Sequence, residues 1–217
     1  MFCFFFYTRL SKVQISNDIG FETTFLTKWP VTAYLYDHTI DKIPPHQYPQ
    51  LIRWHKEGIS ANKSNNLNTW SSHVLENHDN DKKCLMLKMD VEGAEWAILA
   101  ETDDKVLKQF CQVVLEFHGL VSTNFETNYD VKIKALSKLN TLFHVIHLHG
   151  NNYSGGYRAK DYLVPDVLEV SYIRKGPQIK IKQSQTISPI AGLDYPNNSN
   201  VDDIKLNKPP FQPRLSH

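Results

Sequence analysis

The sequence predicts an α/β domain built on a mostly parallel β-sheet, with one antiparallel strand near the C-terminus. Three observations support this fold class. Short apolar segments alternate with helical patterns between residues 12 and 175, which is typical of a layered α/β fold with parallel strands. Several apolar segments are almost continuous, as expected of strands buried on both faces. The last two are joined by a polar, glycine-rich stretch without a helical pattern, which predicts an antiparallel pair.

The predicted strands run through residues 12–15, 31–37, the centre of 51–60, 83–90, 111–119, 143–150 and 167–175. The predicted helices occupy part of 16–29, then 68–78, 93–110 and 130–140. Asn68 or Thr69 is the predicted cap of the second helix. A mostly parallel sheet with one antiparallel strand near its end fits a Rossmann-like architecture.

Composition divides the chain into three parts. Residues 1–11 are interpreted as a divergent or truncated N-terminal segment, and residues 12–175 as the α/β domain. Residues 176–217 are rich in Pro, Asn and Ser and show no sustained period, which predicts an extended, partly disordered C-terminal arm. With 217 residues the chain can bury one sizeable core.

The charge balance does not favour a polyanionic partner. The formal net charge is +1, so the sequence predicts neither nucleic-acid binding nor attraction to an acidic membrane. The apolar run at residues 1–7 is far shorter than the roughly 20 residues that a bilayer-spanning helix needs, and no basic segment precedes it. We therefore expect a cytoplasmic protein without a membrane span. Cys3, Cys84 and Cys111 form no CxxC pair and are expected to be free, reduced thiols.

Polar residues collect at the carboxyl ends of the predicted strands, the edge at which open α/β sheets bind ligands. They are Asp18 and Glu22 after the first strand, Asp37 and His38 after the second, then Asp90 and Glu92, Glu116 and His118, and finally His147, His149, Asn151 and Asn152. Because several strands deliver an acid or an imidazole to one edge, the sequence predicts a functional site there.

Each of these groups also has a structural interpretation. Asp37 could cap a turn, and the carboxylates of Asp90 and Glu92 could cap and charge the first turn of the following helix. Glu116 and His118 could pair with each other. The two histidines of the strand at 143–150 could be a hydrogen-bonded pair that faces the core.

The segment LKMDVEGAEWAIL (residues 87–99) resembles the DxEGxE segment of the FkbM-type methyltransferases. Further segments resemble parts of one branch of that family in the same order: AYLYDHTID, HKEGIS, VVLEFHGL, KLNTLFHVIHLHGNNY and VPDVLEVSYIRK. The resemblance extends from about residue 15 to about residue 175. It implies a Rossmann-like fold and S-adenosylmethionine as the cofactor.

The resemblance also implies roles for individual residues. Asp37 matches the acid expected to bind the cofactor ribose, and Asp90 with Glu92 matches the acids beside the methyl group. The predicted cofactor-binding residues are Asp18, Gly20, Glu22, Asp37, His38 and Asp90. The predicted catalytic residues are Glu92, His118 and His149, as candidate bases for a hydroxyl proton. The predicted substrate-binding residues are Glu116, Asn151 and Asn152, and no metal ligand is predicted.

One position departs from the family pattern. The first strand of the family normally ends in a glycine, and Gln14 occupies that position here. The resemblance as a whole predicts methyl transfer to a small hydroxylated acceptor such as a sugar. The glutamine at this position supports the alternative, a non-catalytic, degenerate relative. A third hypothesis, a metal-dependent hydrolase, uses the acids and histidines as ligands, although no HExxH spacing supports it. The sequence does not specify the oligomeric state.

Overall fold

A computed structural model describes residues 7–121, 129–160, 162–182 and 184–212. Its strands are β1 Arg9–Val13, β2 Thr32–Tyr36, β3 Ile52–His55, β4 Gly58–Ile59, β5 Leu67–Asn68, β6 Leu85–Met89, β7 Phe110–Phe117, β8 Phe143–Ala159 and β9 Tyr162–Arg174. Its helices are α1 Gly20–Lys28, α2 Trp70–Glu76, α3 Glu95–Glu101, α4 Asp104–Leu107 and α5 Tyr129–Leu142. None of these helices is long and apolar enough to cross a membrane.

The main sheet has seven strands in the order β3-β2-β1-β6-β7-β9-β8. The pairs from β3 to β7 are parallel, whereas β9 runs antiparallel to both of its neighbours. This confirms the predicted Rossmann-like sheet with one antiparallel strand. The strand order reverses between β1 and β6, and ligands of such sheets bind outside the carboxyl ends of the strands at this reversal.

Buried residues cover both faces of the sheet. Leu85, Leu87 and Met89 belong to one core cluster, together with residues of α3 and α5, whereas Met86 belongs to a second cluster with residues of α1. Successive side chains of a strand point to opposite faces, so β6 is covered on both sides. A fully buried side chain of this size stabilises the fold by about 1.5–3 kcal/mol.

The predicted first strand at residues 12–15 is wrong in position, because β1 is Arg9–Val13. Gln14 follows with a left-handed φ of 58°, which ends the strand. β1 therefore begins within the stretch interpreted as an N-terminal segment, residues 1–11. Charged residues concealed this strand from the sequence pattern: Lys12 is buried in it, with Nζ 2.7 Å from the Glu22 carboxylate.

The predicted helix at 93–110 is two helices, α3 and α4. Thr102 is extended after α3, and the Asp103 side chain caps α4 by accepting a hydrogen bond from the Lys105 amide at 2.7 Å. The α2 prediction is confirmed with Thr69 as the cap, whose side chain accepts a hydrogen bond from the Ser72 amide.

The glycine-rich stretch predicted as a loop belongs to the long β8–β9 hairpin. β8 continues to Ala159 and β9 begins at Tyr162. The register shifts between Asn151 and Gly156, so the polar residues there form an irregularity within paired strands. Sequence alternation is lost at such an irregularity.

The prediction of free cysteines is wrong for Cys84 and Cys111, which are joined by a disulfide. Cys84 directly precedes β6, and Cys111 lies at the start of the neighbouring strand β7. Their Cα atoms are 4.5 Å apart, a separation that disulfides commonly bridge. Cys3 lies outside the described residues.

The arm after β9 packs along β8, the edge strand of the sheet. Ile204 forms a β-bridge with Gly150, and Ile204 and Leu206 are buried in the same cluster as residues of α3. The Leu206 amide donates to the Ser188 carbonyl at 2.9 Å. The described part of the arm is thus attached to the domain, and residues 213–217 lie outside the described ranges.

Candidate functional site

A crevice opens at the carboxyl edge of the sheet, beside the reversal in strand order. Its lining residues come from the ends of β1 and β2, from the small β4–β5 sheet, and from the turn after β6. They are Val13, Gln14, Asp37, His38, Gly58, Ile59, Ser60, Leu67, Val91 and Ala94. The crevice therefore combines an apolar wall with a carboxylate and an imidazole at the end of β2.

Asp37 organises the loop after β1. Its Oδ2 accepts hydrogen bonds from the amides of Ile15 and Ser16, both at 2.9 Å. Its Oδ1 accepts from the amide and the hydroxyl of Thr39, at 2.7 and 2.6 Å. Burial alone would raise the pKa of Asp37, but these hydrogen bonds outweigh it and lower the pKa. Asp37 is therefore a charged carboxylate whose four acceptor positions are already used by the protein.

The rim of the crevice carries a strained backbone. Gln14, Ser16 and Glu92 have φ values of 58°, 51° and 54°, a left-handed region that favours glycine. The Gln14 side-chain amide donates to Glu92 Oε1 at 3.2 Å across the rim. Such strain persists only where the surroundings hold it, and it is common at functional sites.

The turn that follows β6 is organised by Glu95, which is fully buried. Its carboxylate accepts hydrogen bonds from the Val91 amide at 2.9 Å and the Gly93 amide at 3.0 Å. Gly93 has a φ of 105°, where a side chain would add strain. Sequence reasoning missed Glu95, although it is the third acid of the DVEGAE segment.

His118 lies among four carboxylates. Its Nδ1 is 3.1 Å from Glu95 Oε1, and its Nε2 is 3.3 Å from Glu92, 3.9 Å from Asp90 and 4.0 Å from Glu116. Burial alone would lower the pKa of His118, but the hydrogen bond to Glu95 and the surrounding negative charges raise it to about 9. His118 is therefore an imidazolium at neutral pH and cannot take up a further proton.

Glu116 has the opposite character. Burial, followed by the charge of Asp90, raises the pKa of Glu116 to about 7. Asn151 donates a hydrogen bond to Glu116 Oε1 at 2.7 Å. A carboxyl group that titrates near neutral pH can both accept and release a proton, as a general base must. Glu116, predicted as a substrate-binding residue, thus has the acid–base properties expected of a catalytic one.

A profile of the Methyltransferase FkbM domain matches residues 6–177 of the sequence, which is most of the chain and the whole seven-stranded sheet. The chain belongs to the FkbM methyltransferase family. The carboxylate-rich DVEGAE turn at the reversal of the strand order is also the segment by which the sequence resembles this family.

Two solved structures resemble this FkbM domain distantly, and no curated protein matches the sequence significantly. A putative hemolysin from Streptococcus thermophilus is 12% identical, with a TM-score of 0.42, over 76% of this chain and 58% of its own. A putative riboflavin biosynthesis protein from a Shewanella species is 9% identical, with a TM-score of 0.29, over 78% and 75% of the two chains. The chain thus spans little more than half of the hemolysin. These likenesses carry no functional argument.

The predicted cofactor residues of the FkbM domain divide into two groups. Asp37 and His38 line the crevice, and Asp90 adjoins its wall at Val91. Asp18 accepts a hydrogen bond from the Gly20 amide at 2.7 Å, and neither residue lines the crevice.

Glu22, the remaining predicted cofactor residue, is fully buried against Lys12. It stabilises the packing of α1 on β1 and is not accessible to a ligand. Burial raises the pKa of Glu22 and lowers that of Lys12, while each partner's charge opposes these shifts.

His149 and Asn152 hold the arm of the FkbM domain. His149 Nδ1 is 2.9 Å from Glu169 and its Nε2 is 3.1 Å from Asp203. The Asn152 side chain donates to the Asn198 and Val201 carbonyls and accepts from the Asn198 amide at 2.7 Å. Both nitrogens of His149 therefore donate to carboxylates, which raise its pKa against the effect of burial. This arrangement differs from the predicted catalytic and substrate-binding roles.

Proposed function

We propose that the crevice binds S-adenosylmethionine and that the chain transfers its methyl group to a hydroxyl group of a small acceptor, such as a sugar. The observation that carries this proposal is the position of Glu116, whose carboxylate lies 4.0 Å from His118 Nε2 within the acidic cluster. This cluster adjoins the turn that lines the crevice, and burial raises the pKa of Glu116 to about 7. Family membership supports the methyl-transfer chemistry.

The acidic turn suits a cationic ligand. Asp90 Oδ1 is buried, and no hydrogen bond reaches it within the described part of the chain. A buried carboxylate oxygen without a hydrogen bond is costly. The His118 imidazolium lies 3.9 Å from this oxygen and lowers the cost through its charge, and a second positively charged group would lower it further. When bound, S-adenosylmethionine supplies an electrophilic methyl group on a positively charged sulfur. Asp90 would hold the charged end, and the apolar wall of Ile59, Leu67 and Ala94 would hold a flat ring such as adenine.

Glu116 would act as the general base. Its carboxylate would accept the proton of the acceptor hydroxyl, while the bound cofactor would supply the electrophilic methyl group. Asn151 orients Glu116 through their hydrogen bond of 2.7 Å. His118, charged at neutral pH, balances the surrounding carboxylates. Because methyl transfer is an in-line displacement, the main task of these side chains is alignment.

Calorimetric titration with S-adenosylmethionine tests the binding step. The wild-type chain should bind with micromolar affinity, and Asp90→Asn should weaken binding by about tenfold, because one charge facing the cation is lost. Glu101→Gln is the matched control, since Glu101 is exposed on α3 and pairs with Lys134 at 2.8 Å. A folded wild-type chain that shows no binding would reject the proposal.

Glu116→Gln tests the chemical step. The variant should retain cofactor binding and lose about 10²–10⁴-fold in turnover. The wild-type rate should rise with pH through about 7, since the base must be deprotonated. A rate that is independent of Glu116 would assign the proton transfer elsewhere.

A non-catalytic role has one observation in its favour. Gln14 occupies the position of the family glycine and has a left-handed φ of 58°. Its side chain also lines the crevice, where a glycine would leave more room. If Gln14→Gly binds the cofactor and the wild type does not, the result favours the hypothesis that this chain is a non-catalytic, degenerate member of the family.

A further inference from the structure

A second group of potential ligands lies behind the crevice. Glu57 follows β3, and His73 and Glu76 lie one turn apart on α2. The ligand atoms of these three side chains lie within 4.8 Å of one another. None of the three belongs to the acidic cluster around His118, and the proposed methyl transfer does not use them.

His73 is the central side chain of this group, and it is 1% exposed. Its Nε2 faces the Gly58 carbonyl oxygen at 3.5 Å. A carbonyl oxygen can only accept a hydrogen bond. In the tautomer with the hydrogen on Nε2, that hydrogen faces the Gly58 carbonyl oxygen and the lone pair of the neutral ring is on Nδ1. A histidine whose other nitrogen donates to a backbone carbonyl is the usual arrangement of a metal ligand.

Nδ1 points at groups that cannot donate to it. Glu57 Oε2 is 3.6 Å away and Glu76 Oε2 is 4.0 Å away, beyond hydrogen-bond distance. No other hydrogen bond to this nitrogen is found among the residues that the structure describes. In this tautomer three lone-pair donors face one another without a hydrogen between them, although His73 is almost fully buried.

A cation placed between these atoms would remove the mismatch. In a tetrahedral zinc site with bonds of about 2.0–2.1 Å, neighbouring ligand atoms are roughly 3.3–3.4 Å apart. The observed 3.6 and 4.0 Å are too long for hydrogen bonds and close to that spacing. We propose that Glu57, His73 and Glu76 form a binding site for a divalent transition metal such as Zn²⁺.

The surroundings support the ligand geometry. Asn68, which is buried, donates a hydrogen bond to Glu76 Oε1 at 3.1 Å and leaves Oε2 directed towards His73. The ring of His73 packs against that of Tyr36, with centroids 4.1 Å apart, which restricts its rotation. Three protein ligands leave one position of a tetrahedral ion for water.

The site would join the β3–β4 connection to α2. Glu57 precedes Gly58, whose carbonyl faces His73 and which itself lines the crevice. Gly58 has no space for a side chain, because a Cβ there would collide with His38 and Leu67. An ion bound to Glu57 and His73 would therefore restrict the movement of Gly58, which lines the crevice.

The test is zinc titration of the full chain after removal of metals with a chelator. The wild type should bind one Zn²⁺ per chain with micromolar or tighter affinity, and its melting temperature should rise with Zn²⁺. The double variant Glu57→Gln, Glu76→Gln should bind at least roughly tenfold more weakly, since two of three ligands lose their charge. Glu101→Gln is again the control and should bind as the wild type does.

Both glutamates are partly exposed, with side chains 27% and 53% accessible, so the glutamine variants should fold, as circular dichroism would verify. Co²⁺ provides a second readout, because its visible absorption reports tetrahedral nitrogen and oxygen ligands. Absence of binding by the folded wild type would overturn the proposal. So would binding that survives in the double variant and is lost in Asp90→Asn, which would place the ion in the acidic cluster.

Discussion

His118 and His73 are both buried histidines with glutamates beside them, yet their pKa values shift in opposite directions. The pKa of His118 rises to about 9, whereas burial lowers that of His73 to about 4. His118 has a hydrogen bond of 3.1 Å to Glu95, which is itself fully buried. The acids near His73 are 3.6 and 4.0 Å away and partly exposed. The hydrogen bond to a buried carboxylate therefore separates His118 from His73, whose neighbouring carboxylates form no hydrogen bond with it.

Among the variants that test this comparison, the one that removes the Glu95 charge should lower the free energy of unfolding most. Glu95→Gln removes the negative charge that pairs with His118 and leaves one neutral carbonyl oxygen for His118 and the amides of Val91 and Gly93. We expect a loss of about 4 kcal/mol in the free energy of unfolding, because a buried charged pair loses one member. Urea denaturation measures this. A loss below about 1 kcal/mol would show that Glu95 does not organise the turn.

The pH dependence of stability should be the next largest effect. His118 has a folded pKa of about 9, above the ordinary value of about 6.5 in the unfolded chain. Its stabilising contribution is therefore complete below pH 6.5 and is lost as the pH rises through 9, an expected change of about 3 kcal/mol. Urea denaturation between pH 6.5 and 9.5 measures it. His118→Gln should flatten the curve over that range, and an unchanged slope would contradict the assignment.

Gln14→Gly should have a smaller effect on stability, and the effect should be confined to the region around His118, because Gln14 contacts Glu92. The substitution removes the backbone strain of a non-glycine residue with a left-handed φ, but it also removes the hydrogen bond to Glu92. We expect a net stabilisation of about 1 kcal/mol and tighter binding of S-adenosylmethionine. Thermal denaturation and calorimetry measure the two effects. Ser16→Gly is a matched variant, because Ser16 has a similar left-handed φ of 51° and no hydrogen bond joins its side chain to Glu92 within the described residues.

Glu57→Gln should have the smallest effect. In metal-free buffer this change should alter the free energy of unfolding by less than about 0.5 kcal/mol, because Glu57 forms no hydrogen bond with His73. The contrast with Glu95→Gln is the point of the experiment, since both variants remove a glutamate charge near a buried histidine. Comparable losses in the two variants would show that hydrogen bonding is not what separates the histidines.

The sheet could be predicted from sequence because its strands are apolar and separated by clear helical patterns. The limits of β1 could not, since Arg9, Ser11 and Lys12 interrupt its apolar character and the buried partner of Lys12 lies on α1. The β8–β9 hairpin could not be predicted in full either, because the register shift between Asn151 and Gly156 interrupts the alternation of apolar and polar residues in β8.

The convergence of Asp90, Glu92, Glu116 and His118 was predictable, because parallel strands bring their carboxyl ends to one edge. The partners of His149 were not, because Asp203 lies 54 residues along the chain in a segment without periodicity. His73 lies on a helix, so an argument from strand ends could not find it. The acid–base properties of Glu116 depend on burial, which sequence alone does not reveal.

The arm along β8 has a consequence for self-association. β8 is the last strand of the sheet, and an uncovered edge strand is a template on which another chain can add a strand. Ile204 pairs with Gly150 on this edge, and Asp203 anchors the pairing through His149. The arm therefore covers part of this edge, and a chain shortened before Ser188 is expected to aggregate through β8 more readily than the longer chain.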